Sequence, residues 1–161
     1  MRANSEIEVK LAASPAMLEE LRDHPALAGA DSVQGLHTVY FDTSDARIGR
    51  QGGSLRVRQV DGGAPVQTFK IGKGPTGSIS RHEWTAQIAG TNPSIEELPK
   101  VAVITLRRLL GGEVLLPFAT LEVQRTVRTI RHGASTIEVA FDTGLIGAEN
   151  SAGTSGNSNS N

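Results

Sequence analysis

An antiparallel β-barrel flanked by short helices, α+β in class with strands dominating, is the fold the sequence predicts, and three observations predict it. Six segments alternate charged or polar residues with apolar ones, the period-2 pattern of a strand with two different faces. Asp61-Gly62-Gly63 and Gly133 fall between consecutive segments of this kind, where tight turns make neighbouring strands antiparallel. The charged residues of the separate strands can be set on one shared face, with the opposite faces left largely apolar. Such a sheet can close with its charge inside and its apolar surface turned outward to helices.

The elements follow in order. Glu6-Ile7-Glu8-Val9-Lys10 opens the chain as a strand, with Glu6, Glu8 and Lys10 on one side and Ile7, Val9 and Leu11 on the other. Ser14 is a natural N-cap and Pro15 a natural first helical residue, and Met17, Leu18 and Leu21 make one apolar side that packs on the sheet. Pro25 ends that helix. Leu36 to Thr43 is β-branched and aromatic and reads as a strand, with Tyr40 and Asp42 on one face. Ser54 to Val60 places Arg56 and Arg58 opposite Leu55 and Val57, and Val66 to Ile71 returns from the Asp61-Gly62-Gly63 turn carrying Lys70.

The loop Gly72 to Gly77 lacks the spacing of a phosphate-binding P-loop and reads as a flexible hairpin connection. Ser80 to Ala86 alternates again, with Arg81 and Glu83 on one face and His82 and Trp84 on the other. Between Asn92 and Gly112 the pattern is helical: Ser94 and Glu97 have capping-box spacing, and Val101, Ile104, Leu106, Leu109 and Leu110 form the apolar stripe. Arg107 and Arg108 are its solvated edge. Thr120 to Ile130 and Ser135 to Phe141 are the last predicted strands. The Gly, Ser and Asn residues of 147–161 cannot bury enough surface to order themselves, so one domain over 1–146 precedes a disordered tail.

Composition narrows the function. Sixteen Lys and Arg against seventeen Asp and Glu leave a net charge of −1, so no overall basic field recommends nucleic acid or an anionic membrane as partner. No apolar run approaches the roughly 20 residues of a membrane span. Cysteine is absent, which excludes disulfides, a thiol nucleophile and thiolate metal sites, and is compatible with a reducing cytoplasm.

The shared face collects Lys10, Arg56, Arg58, Lys70, Arg81 and Arg125 with Glu6, Glu8, Glu83, Glu138 and Asp142. Arg125 fits least well, because Val123 and Val127 share its side. Charges enclosed together must be compensated by one another and by ligand. Arginine chelates phosphate oxygens in bidentate fashion. Carboxylates suit hard divalent cations, Mg2+ or Mn2+. A metal-bound polyphosphate needs both sets in one cavity. An exposed sheet face laced with salt bridges is the plainer alternative for any single strand.

In order, Glu6-x-Glu8-x-Lys10, Tyr40-Phe41-Asp42-Thr43, Leu55-Arg56-Val57-Arg58, Phe69-Lys70 and Arg81-x-Glu83 resemble the motifs of the CYTH, or triphosphate tunnel metalloenzyme, family. The likeness runs to about Leu145 and is nearest the inorganic triphosphatase branch often fused to a CHAD domain, of which no helical segment is present. The resemblance implies an eight-stranded antiparallel tunnel. It makes Glu6 and Glu8 metal-binding acids, Lys10, Arg56, Arg58 and Lys70 phosphate binders, and Glu83 a tunnel acid, with Glu6, Glu8, Lys10 and Glu83 the catalytic set. Arg81 and Arg125 join the substrate binders, and Asp142, with Glu138 as companion, resembles the late metal-binding acid.

Two departures stand out. Val123 occupies the place of a basic residue, and no final strand with a second Glu-x-Glu follows Asp142. The resemblance therefore implies an incomplete tunnel with an open edge, lowered metal affinity and reduced activity. The implied activity is metal-dependent hydrolysis of the terminal phosphate of inorganic triphosphate or a related organic triphosphate, by a cytoplasmic protein. The same tunnel serves class IV-type adenylate cyclases, and one lacking its closing acids can act as a triphosphate- or polyphosphate-binding module. Two chains pairing as a homodimer would complete an open barrel.

Overall fold

The computed structural model describes residues 9–72 and 82–148. Glu6, Glu8, Arg81, most of the 72–77 loop and the residues after Ala148 lie outside them. The elements are helix α1 (Pro15–Asp23), strand β1 (Asp31–Asp42), helix α2 (Arg47–Arg50), strands β2 (Ser54–Val60), β3 (Val66–Ile71) and β4 (His82–Gln87), helix α3 (Lys100–Leu110), and strands β5 (Leu116–His132) and β6 (Ser135–Ala148). The strands hydrogen-bond in the order β4-β3-β2-β1-β5-β6. The ladders β1–β2, β2–β3 and β3–β4 are antiparallel, as the alternation and hairpin signals require.

Six strands are fewer than the eight of the expected tunnel. Among the described residues β4 and β6 end the sheet at either side, and the ladder does not close from one to the other. The expected opening strand falls largely outside the described residues, and Val9 and Lys10 are not in a strand. The last two strands run longer than the sequence pattern indicated, because residues 116–119 and 142–148 alternate poorly and yet are strand.

The chain divides into two compact units, Met1–Val33 with Thr126–Phe141 and Gln34–Arg125 with Asp142–Asn161. In the first, the Ser14 hydroxyl caps α1 by accepting from the Met17 amide at 3.3 Å, and Pro15 opens the helix. The expected packing of α1 through Met17, Leu18 and Leu21 is slight, since Met17 and Leu21 are exposed, Leu18 is only half-buried and no residue of the helix is fully buried. Its anchor is polar instead. Arg22 donates to the Thr126 hydroxyl at 3.2 Å, and its guanidinium stands 5.8 Å from the centre of the buried Phe141 ring. Arg128 lies against the same ring, chelates Asp31 at 2.6 and 3.0 Å, and donates to the Arg22 and Leu27 carbonyls. That hydrogen-bonded pair holds the Asp31 carboxyl below its usual range.

The second unit contains the apolar core. Phe41, Leu55, Val57 and Phe69 from β1–β3 meet Ala102, Val103, Leu106 and Leu110 of α3, with Ile48, Ile88 and Leu98 completing the cluster. Each large side chain so buried contributes about 1.5–3 kcal/mol. The buried face of α3 differs from the expected stripe: Val101 and Ile104 are 63% and 50% exposed. The helix begins only after Pro99, and the spacing 102/103, 106, 110 is the set that then faces the sheet. Ser94 does not form the expected capping box. Its backbone amide and carbonyl instead bind the two ends of the buried Gln67 side chain at 3.1 and 2.6 Å.

Two turns hold β1 and β2 in place. Asp61 and Gly62 both have positive φ, 50° and 69°, in a tight turn closed by the Gly63 amide donating to the Val60 carbonyl at 2.8 Å, and the Asp61 carboxylate accepts the Gly35 amide at 2.7 Å. At the other end the buried Asp42 carboxylate accepts three amides, those of Thr43, Ile48 and Gly49, at 2.7–2.9 Å. Asp42 thereby organises the turn into α2 rather than facing the ligand side with Tyr40.

Candidate anion-binding face

Strand parity and register fix which side chains share a surface. Across β1–β2, Tyr40 is opposite Arg56 and Thr38 opposite Arg58; across β2–β3, Arg56 is opposite Thr68 and Ser54 opposite Lys70. Across β3–β4, Thr68 meets Thr85 and Lys70 meets Glu83. Cross-strand partners point to the same side of a sheet. One face therefore carries Thr38, Tyr40, Arg56, Arg58, Thr68, Lys70, Glu83 and Thr85, while Val39, Phe41, Leu55, Val57, Phe69 and Trp84 turn to the α3 core. His82 stacks on Trp84 with ring centres 5.6 Å apart, on the face opposite Glu83.

The charges on this face are unequally partnered. Lys70 pairs with Glu83 at 2.8 Å; elsewhere in the same compact unit Arg125 of β5 grips Asp142 of β6 through two bonds of 2.7 Å. Arg56 and Arg58 make no ion pair among the described residues. Arg58 Nε donates to the Thr38 hydroxyl at 2.8 Å, a neutral acceptor. Arg56 Nε is buried with no hydrogen-bond partner. Burial, and then the positive charge of Arg56, push the Arg58 pKa below the ordinary guanidinium value, with Arg125 adding to the repulsion and Tyr40 and Asp142 opposing it. Two adjacent, half-buried cations without a carboxylate form a surface that an anion would stabilise.

Of the expected site residues, the structure brings Arg56, Arg58, Lys70, Glu83, Arg125 and Asp142 into one compact unit. Lys10 and Glu138 belong to the other unit, both exposed. Glu6, Glu8 and Arg81 lie outside the described residues. Val123, where a basic residue was expected, lies against Gly144: a Cβ on that glycine would stand 2.9 Å from the Val123 side chain and 2.3 Å from the Glu122 carbonyl. Thr38 and Thr68, both buried, were not anticipated. Their signal is their register opposite the arginines, which a threonine in a strand does not announce.

Carboxylate oxygens are suitable donors for Mg2+ or Mn2+, but the described residues contain no group of three or more His, Cys, Asp or Glu able to hold a metal. Asp142 is occupied by Arg125, so it would join a cation only by sharing its oxygens. No helix among the described residues is long and apolar enough to cross a membrane.

The chain matches the CYTH domain family over residues 4–150. It belongs to that family. The chain is 31% identical over 154 residues to an inorganic triphosphatase of Haemophilus influenzae, an alignment covering 88% of this chain and 40% of the relative. It thus spans less than half the length of that relative. Its fold resembles the crystal structure of a candidate adenylate cyclase from Bacillus halodurans, with a TM-score of 0.51 at 18% identity, covering 81% of this chain and 69% of that one. A Pyrococcus horikoshii protein is also similar, with a TM-score of 0.48 at 17% identity over 83% of this chain and 71% of its own. In this chain the strand carrying Arg56 and Arg58, β2, lies between β1 and β3.

Proposed function

We propose that this CYTH chain hydrolyses the terminal phosphate of inorganic triphosphate or a related organic triphosphate. One observation carries the reading: Arg56 and Arg58 stand side by side on the polar face without carboxylate partners, and Arg56 Nε is buried and unsatisfied. A flexible chain of phosphates supplies several anionic oxygens that guanidinium donors can chelate. The triphosphatase relative supports the choice of substrate class.

In this reading Arg56 and Arg58 hold the phosphate chain, Lys70 and Arg125 add positive charge beside it, and Glu83 keeps the Lys70 ammonium in place. Lys10 and Arg81 are assigned to the substrate, and Glu138 to the metal set, from the family motif. The family motif also assigns Glu6, Glu8 and Asp142 to the metal set, and a divalent cation would supply neutralisation of phosphate oxygens and a lowered pKa for the attacking water. Water attacks the terminal phosphorus, the bond to the bridging oxygen breaks, and pyrophosphate leaves with the electron pair. No covalent enzyme intermediate is required. The eight-stranded tunnel, the domain limits 1–146 and a cytoplasmic setting are part of the same proposal.

The test is a phosphate-release assay run beside calorimetry with triphosphate, thiamine triphosphate and ATP, each with Mg2+ and with Mn2+. Release of phosphate and pyrophosphate from triphosphate, lost in Glu6→Gln and in Arg56→Ala, is expected. Unchanged turnover in both variants overturns the site assignment. Binding without release shows a binding module, and conversion of ATP to a cyclic product shows a cyclase.

A further inference from the structure

The arginines of this chain are held in two different ways. Arg125 and Arg128 each face a carboxylate through Nε and a terminal nitrogen, so a local anion offsets their charge. Arg47 is likewise bonded to Asp45. Arg58 has no such carboxylate: its Nε is anchored by the hydroxyl of Thr38 at 2.8 Å, and its terminal nitrogens make no bond among the described residues.

Thr38 is well suited to this anchoring. It is 1% exposed, sits directly across from Arg58 in the β1–β2 ladder, and as a β-branched residue in a strand has few side-chain rotamers. A carboxylate in its place would fix the guanidinium equally well but would cancel the charge that draws a ligand. A valine would keep the shape and leave Arg58 Nε without an acceptor.

We propose that Thr38 is a positioning residue for anion recognition: its hydroxyl orients the Arg58 guanidinium without neutralising it, leaving the terminal N–H groups directed to the phosphate chain. The inference rests on the triphosphate reading above and adds a residue to it. It also separates the two arginines by role. Arg58 is set before the ligand arrives, whereas Arg56, with an unsatisfied Nε, gains its partner from the ligand.

Calorimetry of the whole chain with inorganic triphosphate and Mg2+ tests this, using Thr38→Val, Thr38→Ser, Arg58→Ala and the double variant Thr38→Val/Arg58→Ala. Loss of an oriented charge-assisted contact predicts about tenfold weaker binding for Thr38→Val, and near wild-type affinity for Thr38→Ser, which keeps the hydroxyl. In the Arg58→Ala background the valine should have no further effect. A purely structural role would lower affinity in both backgrounds, and that result overturns the proposal, as does unchanged affinity in Thr38→Val. If Thr38→Val does not fold, Thr38→Ala compared with Thr38→Ser gives the same decision. Failure of the wild type itself to bind triphosphate overturns the functional reading and this inference together. Binding by the wild type with no response at Thr38 overturns this inference alone.

Discussion

Replacing Arg56 with methionine separates what this side chain does for the fold from what it does for the ligand. Methionine fills similar space without a charge or a donor. In the structure Arg56 Nε is buried and unpaired, a state that costs about 1–3 kcal/mol, so its removal should leave stability unchanged or raise it. For a domain of this size 1 kcal/mol corresponds to a Tm shift of about 2–4 °C. The ligand side moves oppositely. A charge-assisted hydrogen bond contributes about 1.5–3 kcal/mol, so triphosphate affinity should fall by about 10- to 150-fold. Thermal unfolding by circular dichroism, beside calorimetry at fixed ionic strength, reads both quantities from one preparation. A Tm several degrees lower with affinity intact would refute the reasoning, because Arg56 would then be a structural residue.

Asp42→Ala should destabilise the second unit by about 3 kcal/mol in urea unfolding, since the amides of Thr43, Ile48 and Gly49 lose their shared acceptor; a shift under 1 kcal/mol would contradict that account of the turn. Gly144→Ala should lower the urea midpoint by an amount equivalent to about 1–3 kcal/mol, because the added Cβ would stand 2.3 Å from the Glu122 carbonyl oxygen, and unchanged stability would show that β5 and β6 can part without cost. Hydrogen bonds from Thr43 and Arg47 hold the Asp45 carboxyl at about 2, below its unfolded value. Its contribution is therefore complete above the unfolded pKa and is lost as pH falls toward 2. Asp45→Asn should be less stable than wild type at pH 6, with the gap narrowing between about pH 4 and pH 2; a gap independent of pH would contradict the assignment.

The parts of the site legible in the sequence are those that follow from strand period. Arg56 and Arg58 two residues apart, with Leu55 and Val57 between and before them, can only point to one side of a strand, and the register confirms Lys70 and Glu83 beside them. Thr38 was not legible, because a buried threonine in a β-branched strand carries no local mark of the arginine it faces. Asp42 was misplaced for a related reason: period 2 put it beside Tyr40, but the chain leaves the strand there, and three amides of the following turn take its carboxylate. On α3, helical period alone admits several stripes, and the one that packs was selected by Pro99 and by the shape of the β2–β3 surface. Strand ends were least legible at β5 and β6, where the alternation fades before the strands end.

Phosphorus NMR of inorganic triphosphate incubated with the chain and Mg2+ tests the central claim most directly. The account predicts equal amounts of phosphate and pyrophosphate appearing as triphosphate disappears, with the conversion abolished in the Arg56→Ala/Arg58→Ala double variant. Intact triphosphate that shows neither turnover nor binding, or turnover that survives loss of both arginines, would contradict it.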